Sequence, residues 1–162
     1  MLLSLLPAEG IENMPDVVVT VPKNFEYYDP KTKRELKGIK GWIAEGDAAG
    51  APESGVEWSF TLGGYPPRIE PGERVYVVYN GKLRGYAPLV RIDRFQDEDD
   101  LAGDFGDLEQ CPPRRRVGAY GLIRKGGAVA VTIDEFIKGF RGFRYRWWSY
   151  DQERPFPDWQ TP

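Results

Sequence analysis

RVYVVYNGKLRGY, residues 74–86, decides the fold of this 162-residue chain. Apolar and polar residues alternate on both sides of Asn80-Gly81, which is the pattern of two strands that each bury one face. Asn-Gly favours positive φ at both central turn positions, as a two-residue type I′ hairpin requires. The stretch therefore predicts a β-hairpin whose turn is formed by residues 80 and 81.

Further strands are predicted on both sides of the hairpin. DVVVTV (16–21) is typical of a buried strand, VEWSFTL (56–62) alternates, and VGAYGLIR (117–124) and AVAVT (128–132) give two more. Pro88 cannot donate to a strand ladder and predicts an edge or a bulge. Because strands do not alternate with long helices, we expect a mainly β fold, a small barrel of six or seven strands with one or two short helices.

Two short segments carry helix signals. Residues 35–42 fit either a helical turn or another strand, and the sequence leaves this open. Thr132 and Glu135 are spaced as a capping box, in which each side chain bonds the backbone amide of the other residue. The spacing predicts a short helix from Ile133 to about Lys138, ended by Gly139.

The length of the chain predicts one domain, residues 16–150. Residues 1–15 are expected to form a flexible N-terminal extension. Residues 93–109 hold eight carboxylates and one arginine, which predicts a solvated acidic loop. Residues 151–162 are rich in proline and lack periodicity, so we expect a C-terminal tail anchored by Phe156 and Trp159.

The absence of histidine and the single Cys111 exclude several kinds of site. A Ser-His-Asp or Cys-His arrangement and a histidine- or multi-cysteine zinc site cannot be built. The acidic run fails the calcium-loop pattern, because counting from Asp97 places Ala102 at the sixth position and Leu108 at the twelfth. We therefore expect no metal and no cofactor. A lone cysteine and no long apolar stretch predict a cytoplasmic protein without a membrane span.

Charge is segregated along the chain although the net charge is only -3. Residues 114–146 hold nine lysines or arginines and two acids, so this third can present a positive surface. RGFRYRWW, residues 141–148, adds four aromatic rings. Strand alternation would place one set on the core face and the other toward a ligand. The core set is Phe143, Tyr145 and Trp147, and the ligand-facing set is Arg144, Arg146 and Trp148.

EPGERVYVVYNGKLRGYAPLVRI, residues 70–92, carries a Pro-Gly-acid-Arg-Val turn that enters a hairpin and returns through a Gly-rich strand. In this it resembles the central part of PUA-like domains, particularly their ASCH and EVE branches, and residues 118–148 match more loosely. The resemblance implies a pseudobarrel that binds RNA, or DNA with modified bases, in a cleft beside the barrel. Some ASCH members are small amidohydrolases acting on acylated nucleosides. GIKGWIAE (38–45) resembles their motif, with wider spacing and no threonine beside the lysine.

We therefore expect a nucleic-acid-binding module for RNA or single-stranded or modified DNA, and a binding protein rather than an enzyme. Lysine and arginine side chains neutralise phosphates, and exposed rings stack on bases. The predicted nucleic-acid-binding residues are Trp42, Arg84, Tyr86, Arg114, Arg115, Arg116, Arg124, Lys125, Arg144, Arg146 and Trp148.

Two other functions stay open at this point. One is a small amidohydrolase on modified nucleosides, in which a lysine of lowered pKa beside a carboxylate acts as the base. Its candidate catalytic residues are Lys40, Glu45 and Glu73. The other is a protein-interaction module that captures a partner through the tail segment PFPDW, residues 155–159.

Overall fold

The structure is a computed structural model that describes residues 15–53, 55–95, 118–126 and 128–161. The mainly β prediction is confirmed. In chain order the elements are β1 (Val17–Thr20), β2 (Glu26–Asp29), β3 (Arg34–Lys37), α1 (Ile39–Glu45), β4 (Glu57–Leu62), β5 (Arg74–Tyr79), β6 (Lys82–Arg94), β7 (Tyr120–Lys125), β8 (Val131–Thr132), β9 (Phe143–Tyr145), a 3-10 helix (Tyr150–Gln152) and β10 (Arg154–Pro155).

Six strands form one sheet in the order β4-β7-β6-β5-β1-β9. β1 runs parallel to β5, and the other pairs are antiparallel. Two small sheets accompany it, β2 with β3 and β8 with β10. Among the described residues the outer strands β4 and β9 are not neighbours, so these six strands do not close into a barrel. Residues 35–42, which the sequence allows to be either a helical turn or a strand, contain both, because β3 leads directly into α1.

The predicted hairpin is confirmed. Asn80 has φ 49° and Gly81 has φ 86°, the left-handed values that a type I′ turn needs at both positions. Tyr79 pairs with Lys82, so the loop has two residues. The Asn-Gly pair thus fixes the register of β5 against β6, the two strands at the middle of the sheet.

β6 is an inner strand, and it changes its partner near Pro88. Residues 82–88 pair with β5, whereas residues 89–94 pair with β7, and the register against β7 shifts between Leu89 and Arg91. Proline has no N–H to donate, so within a regular ladder it would leave a hydrogen bond unmade. At a junction where the strand changes its partner, this loss is tolerated. The expectation of an irregularity is confirmed, and the alternative of an edge strand is wrong.

Both faces of the sheet are buried at β1 and β5, which explains the apolar runs of these two strands. One face packs on α1 and holds the alternate residues Val17, Val19, Val75 and Val77 with Ile39 and Trp42. The opposite face packs on the C-terminal segment and holds Val18, Tyr76, Val78 and Leu83 with Ile137 and Trp148. The C-terminal segment therefore forms a layer on this second face of the sheet. The sequence predicts that segment to be partly a helix and partly a strand with one exposed face.

The helix predicted from Ile133 to Lys138 is wrong, since these residues have no helical turn. Thr132 Oγ1 lies 3.5 Å from the Ile133 carbonyl oxygen instead of capping the segment. The Glu135 carboxylate accepts from Trp147 Nε1 at 3.0 Å and so does not reach back to Thr132. The amide of Ile137 donates to Gly81 O at 2.9 Å, which ties the segment to the hairpin turn.

Several predicted segments lie wholly or partly outside the described residues. Residues 1–14, Cys111 and the acidic loop beyond residue 95 are among them. The predicted tail does contact the rest of the chain, because β10 pairs with β8 and Trp159 packs on the first core face. In the described part of the chain no helix is long and apolar enough to cross a membrane. No group of three or more candidate ligand side chains there could hold a metal ion.

Candidate functional site

Arg146, the centre of the predicted cationic face, is an interior residue. It is 7% exposed, and its Nε donates to Asp16 Oδ2 at 3.0 Å. Tyr150 donates to the same carboxylate oxygen at 2.6 Å. Burial and this hydrogen bond raise the pKa of Tyr150 to about 12. The prediction that Arg146 faces a ligand is therefore wrong, because its guanidinium is held in a buried ion pair.

The faces predicted for residues 145–148 are reversed in the structure. Trp148 is 2% exposed, and its ring centroid lies 5.0 Å from that of Tyr76. Tyr145 and Trp147, expected in the core, are 44% and 42% exposed. Arg144 and Tyr145 are both exposed, so the alternation changes phase at the end of β9 and continues through residue 148 with the faces exchanged. Trp148 is thus a core residue and is not available to stack on a base.

Trp42 and Arg124 are also interior, and both bind Asp47. Arg124 has no exposed surface, and its Nε donates to Asp47 Oδ1 at 3.0 Å. Its other nitrogens donate to the carbonyl oxygens of Val75 and Asp47, each at 3.0 Å. Trp42 Nε1 donates to Asp47 Oδ2 at 3.2 Å. The predicted roles of Trp42 and Arg124 at a ligand surface are therefore wrong, and the three side chains hold α1 and its following loop against the sheet.

Arg84 is 4% exposed and binds the C-terminal tail instead of a ligand. Its Nη2 donates to the carbonyl oxygens of Trp159 at 3.0 Å and Thr161 at 2.6 Å. The guanidinium carbon lies 4.8 Å from the ring centroid of Phe156. Burial lowers the pKa of Arg84. Arg84 therefore anchors the tail through the ring of Phe156 and the backbone carbonyl oxygens of Trp159 and Thr161, and this contradicts its predicted place in a nucleic-acid site.

Tyr86 is half-buried, and a cation of the protein itself already occupies its ring face. The guanidinium carbon of Arg74 lies 4.1 Å from the Tyr86 ring centroid and 4.0 Å from that of Tyr150. Arg74 also donates to Glu153 Oε1 at 3.1 Å. The ring of Tyr86 therefore packs in an internal stack, which leaves this face closed to a base.

The remaining predicted cations have different positions. Lys125 is exposed at the end of β7. Arg144 is exposed, and its guanidinium carbon lies 4.5 Å from the ring centroid of Phe140. Arg114, Arg115 and Arg116 lie outside the described residues. Of the predicted set, Arg144 and Lys125 are therefore the described cations that solvent can reach.

The three catalytic candidates are not brought together in the described part of the chain. Lys40 is exposed on α1, and no hydrogen bond or ion pair joins it to Glu45 or Glu73. Glu73 Oε1 accepts from the amide of Glu70 at 2.7 Å, so its carboxylate closes the turn before β5. The lysine–carboxylate pair expected for an amidohydrolase is thus not formed.

Glu45, at the end of α1, has an altered protonation equilibrium that makes stability depend on pH. Burial and the nearby charge of Asp47 raise the pKa of Glu45 to about 7. The folded protein then keeps a proton that the unfolded chain releases at lower pH, so this contribution to stability is complete below the ordinary pKa of 4.5 and is lost as pH rises through about 7.

Replacing Glu45 with glutamine should remove this dependence. Between about pH 5 and pH 8 the wild type should lose up to about 3 kcal/mol of unfolding free energy from this group, and E45Q should lose much less. Urea unfolding at several pH values measures the difference between the two proteins. Parallel pH profiles for wild type and E45Q would show that Glu45 titrates normally.

A cationic groove not predicted from the sequence lies where the 136–142 segment meets the end of β1. One half has a cavity volume of about 470 Å³, and the other half is a neighbouring cavity of about 670 Å³. The two cavities share Thr20, Pro22, Phe140 and Arg141. Lys23 and Lys138 also line the first cavity, and no described acid lines either one. We call this surface the cationic groove.

The cations of the cationic groove are free to bind an anion. At the edge of the cationic groove, the guanidinium of Arg144 packs over the ring of Phe140. Within the described residues, Lys23, Lys138, Arg141 and Arg144 form no ion pair with a carboxylate. In the sequence, the groove is indicated by the two-residue spacing of Phe136, Lys138 and Phe140, with Arg141 directly after them. Interpreting residues 133–138 as a helix hides this pattern.

A second cavity adjoins the cationic groove and, unlike the groove, has carboxylates in its lining. Its volume is about 550 Å³, and it shares Asn80, Gly81 and Phe136 with the first half of the groove. Asp134 and Glu135 line it together with Lys82 and Arg154. The ring of Phe136, 78% exposed, stands between the two cavities. The lining thus changes from cations alone to a mixture of acids and cations across one exposed ring, and we call this second cavity, after its two carboxylates, the acidic pocket.

Comparisons with known proteins give one partial similarity. No family model matches the chain, and no solved structure matches it significantly. The digeranylgeranylglycerophospholipid reductase of Haloferax volcanii is 32% identical over 119 residues, which make up 72% of this chain. The matched stretch covers 27% of the reductase, so the chain spans about a quarter of the length of this curated relative.

Proposed function

We propose that the protein binds single-stranded nucleic acid, RNA or DNA, through the cationic groove. The observation that carries the proposal is a cluster of cations, Lys23, Lys138, Arg141 and Arg144, that form no ion pair with a described carboxylate and surround the ring of Phe140 on a protein whose net charge is -3. An acidic protein would repel a polyanion unless its positive charge were concentrated on one surface. The groove provides that concentration.

Phosphate neutralisation supplies the affinity in this account. Each cation that contacts a phosphate releases counterions, so binding weakens as salt rises. Lys138, Arg141 and Arg144 follow one another along a single non-helical segment that bends at residues 141 and 142, and three successive cations on one segment suit the spaced phosphates of one strand. The rings add a second contribution, because Phe136 is 78% exposed and stacking on an aromatic ring is worth about 1 to 3 kcal/mol per base.

Removing the three consecutive cations should abolish most of the binding. We expect K138A/R141A/R144A to bind a fluorescein-labelled single-stranded oligonucleotide much more weakly than wild type at about 50 mM salt. The slope of log affinity against log salt should fall by about 2, since each phosphate contact on a single strand contributes about 0.7. Fluorescence anisotropy between about 50 and 200 mM salt measures both quantities.

A matched control distinguishes binding in the cationic groove from electrostatic attraction to the protein as a whole. K31A/R34A/K37A removes three exposed positive charges from the β2–β3 hairpin, so its net charge equals that of the groove variant. We expect it to bind nearly as well as wild type. Equal weakening of both variants would show that the attraction is not localised in the groove, and no binding by wild type at low salt would contradict the proposal.

A vesicle measurement tests the other common source of phosphate. The name of the reductase specifies a glycerophospholipid as what that protein acts on, and phospholipid head groups also carry phosphate. We expect anionic vesicles to compete poorly with the oligonucleotide, because a flat bilayer does not enter a groove lined by Phe136 and Phe140. Vesicle binding that depends on Arg141 and exceeds oligonucleotide binding would show that the cationic groove binds lipid head groups and would contradict the nucleic-acid proposal.

A further inference from the structure

The acidic pocket contributes chemistry that phosphate binding does not use. Asn80, Lys82, Thr132, Asp134, Glu135 and Arg154 supply its polar lining. Among them, a carboxylate can accept two N–H donors side by side, and an amide can donate and accept. A pocket with these groups next to a cationic groove fits a ligand that has a donor-rich end and an anionic end. A nucleotide with an amino-bearing base is such a ligand.

The ring between the two cavities is fixed by the hairpin turn. The amide of Ile137 donates to Gly81 O at 2.9 Å, which places the neighbouring Phe136 over the turn. A Cβ at Gly81 would lie 2.2 Å from Phe136 Cε1, so glycine allows the ring to lie directly on the turn. The exposed ring face therefore has a defined position between the cations of the groove and the acids of the pocket.

Asp134 is the carboxylate best placed to receive a base. Its side chain is 78% exposed and pairs with Arg154, whose side chain is 57% exposed. Together the two present an arginine donor beside carboxylate acceptors. Glu135 is less available, because both of its oxygens accept from Trp147 Nε1, at 3.3 and 3.0 Å.

We propose that the acidic pocket is a base-selective subsite for guanine. The Watson–Crick edge of guanine carries a carbonyl acceptor followed by two adjacent N–H donors, which complements the guanidinium of Arg154 beside the carboxylate of Asp134. Adenine, cytosine and uracil do not present two adjacent donors on that edge. The base stacks on Phe136 while its phosphate lies in the cationic groove, so this inference rests on the proposed function.

Competition between mononucleotides tests the subsite. Guanosine, inosine, adenosine and cytidine monophosphates compete with the labelled oligonucleotide for wild type and for D134N. We expect guanosine monophosphate to compete about tenfold better than inosine monophosphate, which lacks only the amino group bonded to the carboxylate. D134N should lose this preference and keep the salt-dependent binding of the oligonucleotide, and D151N, an exposed acid outside the pocket, should retain both.

The outcomes distinguish this inference from the function on which it rests. Equal competition by all four nucleotides, with oligonucleotide binding still dependent on Arg141, would overturn the guanine subsite and leave the groove intact. A preference that persists in D134N would also overturn it. If wild type binds neither oligonucleotide nor mononucleotide, the groove proposal and the subsite both fail.

Discussion

Replacing Arg124 with alanine is expected to lower the free energy of unfolding by about 3 to 5 kcal/mol. The Arg124 side chain has no exposed surface, and its three nitrogens bind Asp47 Oδ1, Asp47 O and Val75 O. Truncation leaves the buried carboxylate of Asp47 without its counter-ion, and an uncompensated buried charge costs far more than a lost surface contact. Urea unfolding followed by circular dichroism gives the measurement.

Two comparison variants make the Arg124 result specific. R124M/D47L removes both charges, so it should lose less stability than the sum of the two single alanine variants. R91A removes an arginine whose side chain is 48% exposed and which pairs with Glu57 and Asp93 at the surface. It should lose much less stability than R124A. A loss in R124A as small as that in R91A would contradict a buried role for this ion pair.

Asp16 is expected to be the second position with a large effect. Its carboxylate is fully buried and accepts from Arg146 Nε at 3.0 Å, Tyr150 OH at 2.6 Å and the Arg74 amide at 2.8 Å. In D16A the guanidinium of Arg146 stays buried without a counter-ion, and its Nη2 already lacks a partner within the described residues. We expect a loss of about 3 to 5 kcal/mol.

Thermal and urea unfolding of D16A should be compared with D151A, which removes an exposed carboxylate from the 3-10 helix. We expect D151A to unfold like the wild type. D16N retains an acceptor oxygen and should fall between the two. If D16A unfolds like D151A, the C-terminal segment is not held by this carboxylate.

The central hairpin was predictable because its information is local. Asn80-Gly81 specifies a turn whose geometry fixes the register of the strands on each side. The 133–138 segment was not predictable, although its capping box is equally local. Its groups bind distant partners instead: Glu135 binds Trp147, Asp134 binds Arg154, and Ile137 binds the hairpin turn. Tertiary contacts thus override a local preference.

The cationic groove was predictable only as far as local sequence describes it. The sequence shows that positive charge concentrates in the C-terminal third, but it does not show which arginines are neutralised. Arg146 pairs with a residue 130 positions away, and Arg124 with one 77 positions away. These separations hide the buried pairs from any local pattern. Arg144 kept its predicted exposure, whereas Lys138 and Arg141 became visible as groove residues only in the fold.

The most direct test of the central claim is an NMR titration of isotope-labelled protein with a single-stranded oligonucleotide, in which backbone amide shifts map the contacted surface. The account predicts that shifts concentrate at residues 20–23, 80–82 and 136–144, with the β2–β3 hairpin unchanged. Shifts confined to another surface, or no shifts at low salt, would contradict nucleic-acid binding by the cationic groove.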